Sequence, residues 1–246
     1  MTSTHHIDSK DRNNKNASNN SFSSHIQDFF PSQSKEISID NVTIPFSFYA
    51  INDNNNSFEI DFGTSQSTIT LDNGNYTNIS ILTELDDKMT TQSGVTFVQS
   101  FDLTTNKITF LGTTGFDFDI NTDEKNYDYL GFPASTTNTA TGSQPSLTSS
   151  QVNNLIGTRY IDIYSNVAIN SSTSRDIQDN RVLARIPAVS NGAFDTIFFT
   201  RQTIKFSKYE YIHLSQLYLE IRDEYDNLVD LNGKEWNMTL LVEAKK

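Results

Sequence analysis

Residues Leu217 to Ala244 read LYLEIRDEYDNLVDLNGKEWNMTLLVEA, two apolar runs around a carboxylate-rich middle. Three structures fit such a stretch: a calcium loop, a catalytic carboxylate cluster, or a hairpin. Spacing separates them. An EF-hand loop needs oxygen ligands at positions 1, 3 and 5, glycine at 6 and glutamate at 12. With Gly233 at position 6, Asn232 and Asp230 fall on 5 and 3, but Leu228 falls on 1 and Thr239 on 12. Two anchoring ligands are lost. A strand from Leu217 to Arg222, a turn on DEYDN, a short LVDL segment, a tight Asn232-Gly233 turn and a last strand from Trp236 to Glu243 fit every position. The stretch is a hairpin that closes a sheet.

The same alternation runs through the chain. Ile37/Ile39, Ile44/Phe46/Phe48, Phe58/Ile60/Phe62 and Ile69/Leu71 alternate with polar residues, the mark of half-buried strands. VTFVQSFDLTTNKITFLG predicts a hairpin turning at TTNK, and GFDFDI and YDYLGF predict two further short strands. Strand patterning returns in TRYIDIYSNVAI, RVLARIPAV, DTIFFTRQTIKF and SQLYLEI. One segment has the helical period: Thr77 can cap, Ile81, Leu82, Leu85 and Met89 form a stripe, and Gly94 ends it. About ten strand candidates and one helix predict an all-β chain, a single jelly-roll β-sandwich with one short helix and long loops.

Residues 1 to 34 are dominated by Ser, Asn, Asp and Lys, with too little apolar surface to offset ordering entropy. They are expected to be a flexible N-terminal arm before a single domain over 35–246. Within the arm Ile26, Phe29 and Phe30 have helix-like spacing, either a shell-docking anchor or two aromatics packed on the arm's own domain. The stretch from Pro133 to Ser150, and the segment to about residue 156, is expected to be a long exposed loop.

Composition narrows the function. The 246 residues hold no cysteine, which removes disulfides, thiolate nucleophiles and cysteine-zinc sites, and favours a reducing compartment. No apolar run approaches a membrane span, and the polar N-terminus lacks a signal-peptide core. A net charge of -12 without Lys/Arg clusters opposes direct nucleic-acid binding. Asn-x-Ser/Thr sequons, as at Asn41, Asn75, Asn78, Asn170 and Asn237, arise by chance in a chain so rich in these residues. His5, His6 and His25 lie in the arm, so His213 alone remains for proton transfer, without a Gly-x-Ser-x-Gly elbow. No phosphate-binding glycine motif is present. Paired carboxylates of the glycosidase kind stay open as a third-ranked reading. No catalytic residue, cofactor or metal ligand is assigned.

RDEYDNLVDLNGKEWNMTLLVE is similar to the C-terminal pattern of penton and minor capsid proteins of virophages, Polinton-like elements and related large double-stranded DNA viruses, in which a D-E-x-x-N turn leads through V-D-x-N-G-x-x-W/F into the last strand. Gly74, Asn75, Tyr76 and Thr77 resemble that family's approach to its helix, and TNKITF (Thr105 to Phe110) and YLGF (Tyr129 to Phe132) follow in the family's order. The blocks span about residues 70 to 243. The resemblance implies a jelly roll standing in an icosahedral virion, five copies to a vertex, assembled in the host cytoplasm, with itself and the major capsid protein as partners and no enzymatic role. The alternative is a minor capsid or vertex-associated module binding host glycans, with Tyr127, Tyr129 or Tyr225 as stacking platforms.

Overall fold

The computed structural model describes residues 1–30, 35–112, 116–167, 182–188, 195–200, 207–209 and 215–244. His213 and the polar stretch around residues 170–180 lie outside them. The chain divides into two compact units, Met1–Phe48 with Thr158–Lys246, and Tyr49–Gly157 inserted between those two parts.

The first unit is a sandwich of two antiparallel sheets. One has the order β1 (Thr2–Asp8), β16 (Asn237–Ala244), β3 (Lys35–Pro45), β13 (Thr196–Thr200), with β14 (Ser207–Tyr209) also pairing with β3. The other runs β12 (Val182–Pro187), β11 (Tyr160–Ser165), β15 (Gln216–Arg222), β2 (Ser21–His25). β13 and β14 share the edge of β3 that faces away from β16, because Ile37 is matched with Val242 on one side and Ser207 on the other. Taken as one position they leave eight strands in the chain-order pattern 1-8-3-6 over 5-4-7-2, in which successive strands alternate between sheets at every step but one. This is a jelly roll.

Period-2 alternation fills the space between the sheets. Ile37, Ile39, Val42 and Ile44 from β3 and Met238, Leu240 and Val242 from β16 meet Ile161 and Ile163 from β11 and Leu217, Leu219 and Ile221 from β15, all buried in one cluster. A register shift at Thr239/Leu240 keeps the inward set of β16 aligned with that of β3 across an extra residue. The opening stretch behaves as its spacing requires. Asn232 and Gly233 both take positive φ, 50° and 75°, the pair of left-handed residues of a tight primed turn.

The second unit has the sheet β5 (Gln66–Thr70), β4 (Ser57–Asp61), β8 (Phe118–Thr122), β9 (Thr136–Ala140) and a three-stranded sheet β10 (Ser146–Thr148), β7 (Lys107–Gly112), β6 (Phe97–Asp102). Helix α1 (Asn78–Ser93) buries Ile81, Leu85 and Met89, one face at four-residue spacing. Thr77 and Ser80 form a capping box, and Gly94 at φ 72° ends the helix in the left-handed conformation. Aromatic rings stack edge to face inside, Phe97 on Phe118 at 5.1 Å and Phe62 on Phe116 at 5.5 Å.

Four expectations are corrected. Residues 1–30 are not an unfolded arm: β1 pairs with β16 and β2 with β15 along their whole lengths. The composition argument counted only what the segment buries by itself, whereas two edge strands take hydrogen bonds and a core from strands already formed. The span 35–246 is not one domain, because the insertion has its own core cluster. The segment 133–156 is not a bare loop: it holds β9 and β10, and buries Ala140, Ser149 and Asn153. YDYLGF is a helical turn, α2 (Tyr127–Leu130), ended by Gly131 at φ 75°, and Tyr129, Leu130 and Phe132 reach the core from it.

Candidate functional site

The jelly roll keeps its apolar side chains inside, so what it offers to other molecules is the outer face of each sheet. On the second sheet, inward Ile161 and Ile163 turn Tyr160, Asp162 and Tyr164 outward, and inward Leu217, Leu219 and Ile221 do the same for Tyr218, Glu220 and Arg222. Arg185 of β12 grips Asp162 with two parallel bonds, Nε to Oδ1 at 2.8 Å and Nη2 to Oδ2 at 2.7 Å, while its guanidinium lies 3.9 Å from the Tyr160 ring centre. The Asp162 carboxylate raises the Arg185 pKa above its ordinary value. Arg222 binds Glu220 at 2.6 Å and Asp226 at 3.1 Å, and stands over the Tyr164 ring at 5.3 Å. Arg159 reaches the buried carboxylate of Glu224, which also accepts the Arg159 backbone N–H.

This face is therefore held in shape by charges that neutralise one another. Its carboxylates are already acceptors for arginines, which leaves no free acid-base pair of the glycosidase kind among Asp162, Glu220 and Glu224. An open depression of about 320 Å³ lies among Tyr164, Ser165, Asn166, Tyr218 and Glu220. Asn166 has both amide groups committed to backbone, donating to the Gln216 carbonyl at 3.2 Å and accepting from the Tyr218 N–H at 2.9 Å.

The carboxylates of the opening stretch are turn-formers. Asp223 accepts from the backbone N–H of Tyr225 at 2.8 Å and of Asn227 at 2.9 Å, and burial raises its pKa. Asp230 accepts from the Asn232 N–H at 2.8 Å. Among the described residues no three His, Asp or Glu side chains are grouped to hold a metal ion.

Of the three anchor candidates the structure brings two inward and leaves one out. Ile26 and Phe30 pack against the jelly-roll core, and Phe29 is 53% exposed with its ring 5.8 Å from that of His5. Asp28, its neighbour in the chain, forms an ion pair with Lys35 at 3.1 Å, with side chains only 2% and 1% exposed. Burial lowers the His5 pKa, with the neighbouring Asp28 pulling the other way. The glycan platforms do not materialise: Tyr129 is 3% exposed, and Tyr127 and Tyr225 are half-buried. On the strands of the jelly roll, Phe198 and Tyr218 turn their rings to solvent, 67% and 52% exposed. Strand parity could have found both, since each sits between inward residues, Tyr218 between Leu217 and Leu219 and Phe198 after Ile197.

No protein-family model matches the chain, and no curated protein sequence does. Solved structures do match. The whole chain is similar in fold to the mavirus penton protein. That likeness covers 100% of both chains with a TM-score of 0.52 and 12% identity. A chain of the Sputnik virophage structure aligns over 99% of this chain and 98% of its own, at 15% identity and a TM-score of 0.44, a level that carries no weight for the fold. At 12% identity the penton likeness concerns the fold, and transfers no residue roles.

Proposed function

We propose that the chain is a structural subunit of an icosahedral virus shell, the penton that forms the five-fold vertices as a homopentamer in contact with the major capsid protein. The observation that carries this reading is the likeness to the mavirus penton protein over the entire length of both chains, insertion included. The protein's own physics supports it. A sheet face whose charges are paired off around Asp162 and Glu220, together with single exposed aromatics such as Phe198 and Tyr218, suits contact with further copies better than turnover of a substrate. The net charge of -12 argues for a place in the shell rather than on the genome. No helix among the described residues is long and apolar enough to cross a membrane. The role is architectural, without an enzymatic step, and the protein resides in the virion after assembly in the host cytoplasm.

Phe29 is the docking residue in this reading, with Ile26 and Phe30 fixing its base to the core. The test is native mass across a concentration series, followed by labelling of the subunit in particles. A species near five times 27.8 kDa and density at the vertices are expected. A strict monomer that is absent from the vertices overturns the reading. Phe29→Ala should lower incorporation into particles without loss of folding.

A further inference from the structure

We propose that residues 1–25, carrying β1 and β2, are exchanged between copies, so that in the assembled protein the two strands of one subunit sit on β16 and β15 of the next. This inference rests on the assembly reading above and specifies how neighbouring subunits are joined.

Its basis is a division of labour between the two ends of the chain. Among the described residues, every hydrogen bond that leaves residues 1–25 ends on residues 215–244. β1 pairs with β16 over seven register positions and β2 with β15 over five. Between them Ser9 donates its N–H to the Trp236 carbonyl at 2.9 Å and accepts the Trp236 N–H on its hydroxyl at 2.9 Å. The Trp236 indole donates to the Asn19 carbonyl at 2.7 Å, and Asn20 donates to the Val229 carbonyl at 2.9 Å. Arg12 and Ser9 both bind Glu235, and Asn19 binds the Lys234 carbonyl. The last segment of the chain is thus a complete receptor for the first.

Three features make the pair separable. Both strands lie at sheet edges, so their departure leaves β16 on β3 and β15 on β11 intact. Within residues 1–25 only Ile7 and Phe22 are buried apolar side chains, and a segment this polar stays soluble when free. The hinge is the nine residues between His25 and Lys35, and exchange takes Ile26 and Phe30 off their own subunit's core and Asp28 away from Lys35. Once released they span at most about 30 Å when extended, enough to reach an adjoining subunit. One donor and one receptor per chain make a head-to-tail contact, the kind that closes rings. The exchanged contacts are identical to the internal ones, so no new surface has to be complementary.

The absence of cysteine permits a direct test in the full-length protein. Two double variants place one cysteine on each side of a pairing, Thr4→Cys with Leu241→Cys in the first sheet and His25→Cys with Gln216→Cys in the second. Each is assembled, its mass measured, and then oxidised and run on a non-reducing denaturing gel, with single-cysteine variants as controls. Exchange gives a covalent ladder rising to the ring size, absent from the controls. An oligomeric sample that yields only internally linked single chains overturns the exchange and leaves the assembly reading standing. A sample that stays monomeric by mass and links only internally overturns the exchange, and the assembly reading falls with it when the labelled subunit is also absent from the vertices. The second pair guards against poor geometry or folding in the first.

Discussion

Phe22 offers the sharpest check on the corrected N-terminus. If residues 1–34 were a flexible arm, truncating this ring would change nothing. In the structure Phe22 is 5% exposed and meets Trp236 edge-on, ring centres 5.8 Å apart at 66°. Phe→Ala at a buried site costs about 3–5 kcal/mol, and an aromatic pair of this geometry adds roughly 0.5–1.5 kcal/mol beyond area burial. The site lies on an edge strand that can partly collapse, so the low end, about 3 kcal/mol, applies. For a unit of this size each kcal/mol lowers Tm by roughly 3–4 °C, which puts the shift near 10 °C. Trp236 is the only tryptophan and is Phe22's neighbour, so its fluorescence reports unfolding at the site itself. Phe29→Ala, 53% exposed, is the control and should leave Tm within about 2 °C. A Phe22→Ala protein that melts within 2 °C of the parent would refute the docking of β2, and with it the acceptor role of the chain's C-terminal strands.

Lys35→Met removes the ammonium that faces Asp28 at 3.1 Å in a site closed to water, and should destabilise by about 3–5 kcal/mol in a denaturant titration; adding Asp28→Leu should restore most of the loss. The His5 pKa is lowered in the folded state, so the unfolded chain binds the proton first: stability should fall as pH drops through about 6.5 and level off below the folded value. His5→Gln should therefore show a smaller decrease in Tm between pH 7.5 and 5.5 than the parent, and an unchanged decrease would clear His5 of that role. Gly157 holds φ 71°, and a Cβ there would lie 2.7 Å from the Ala50 backbone. Gly157→Ala should cost about 1–3 kcal/mol in the thermal unfolding of the inserted unit followed by circular dichroism.

Much of the jelly roll was legible locally. Period-2 alternation marked β3 and β15 because a strand buried on one face must send every second side chain inward, and the same rule held Ile161 and Ile163 in the core. The helix was legible for a matching reason: Ile81, Leu85 and Met89 can share a face only at helical period, and Thr77 and Gly94 solve the problem of its unpaired ends. The Asn232-Gly233 turn followed from the left-handed conformation these residues tolerate. What escaped was whatever depends on a distant partner. Ser21 to His25 has no strand signal of its own and becomes a strand because β15, almost two hundred residues away, presents an unpaired edge. The threonine-rich segment at 136–140 pairs in the same way with β8. The outward aromatic Tyr218 and the arginine-carboxylate face around Asp162 needed the sheet order to come together, since Arg185 and Asp162 meet only when β12 lies beside β11. Side-chain period is a property of the chain, and it fixed the elements and their buried faces. Strand neighbours are chosen by backbone hydrogen bonds and apolar burial across the whole molecule, and only the tertiary structure determined them.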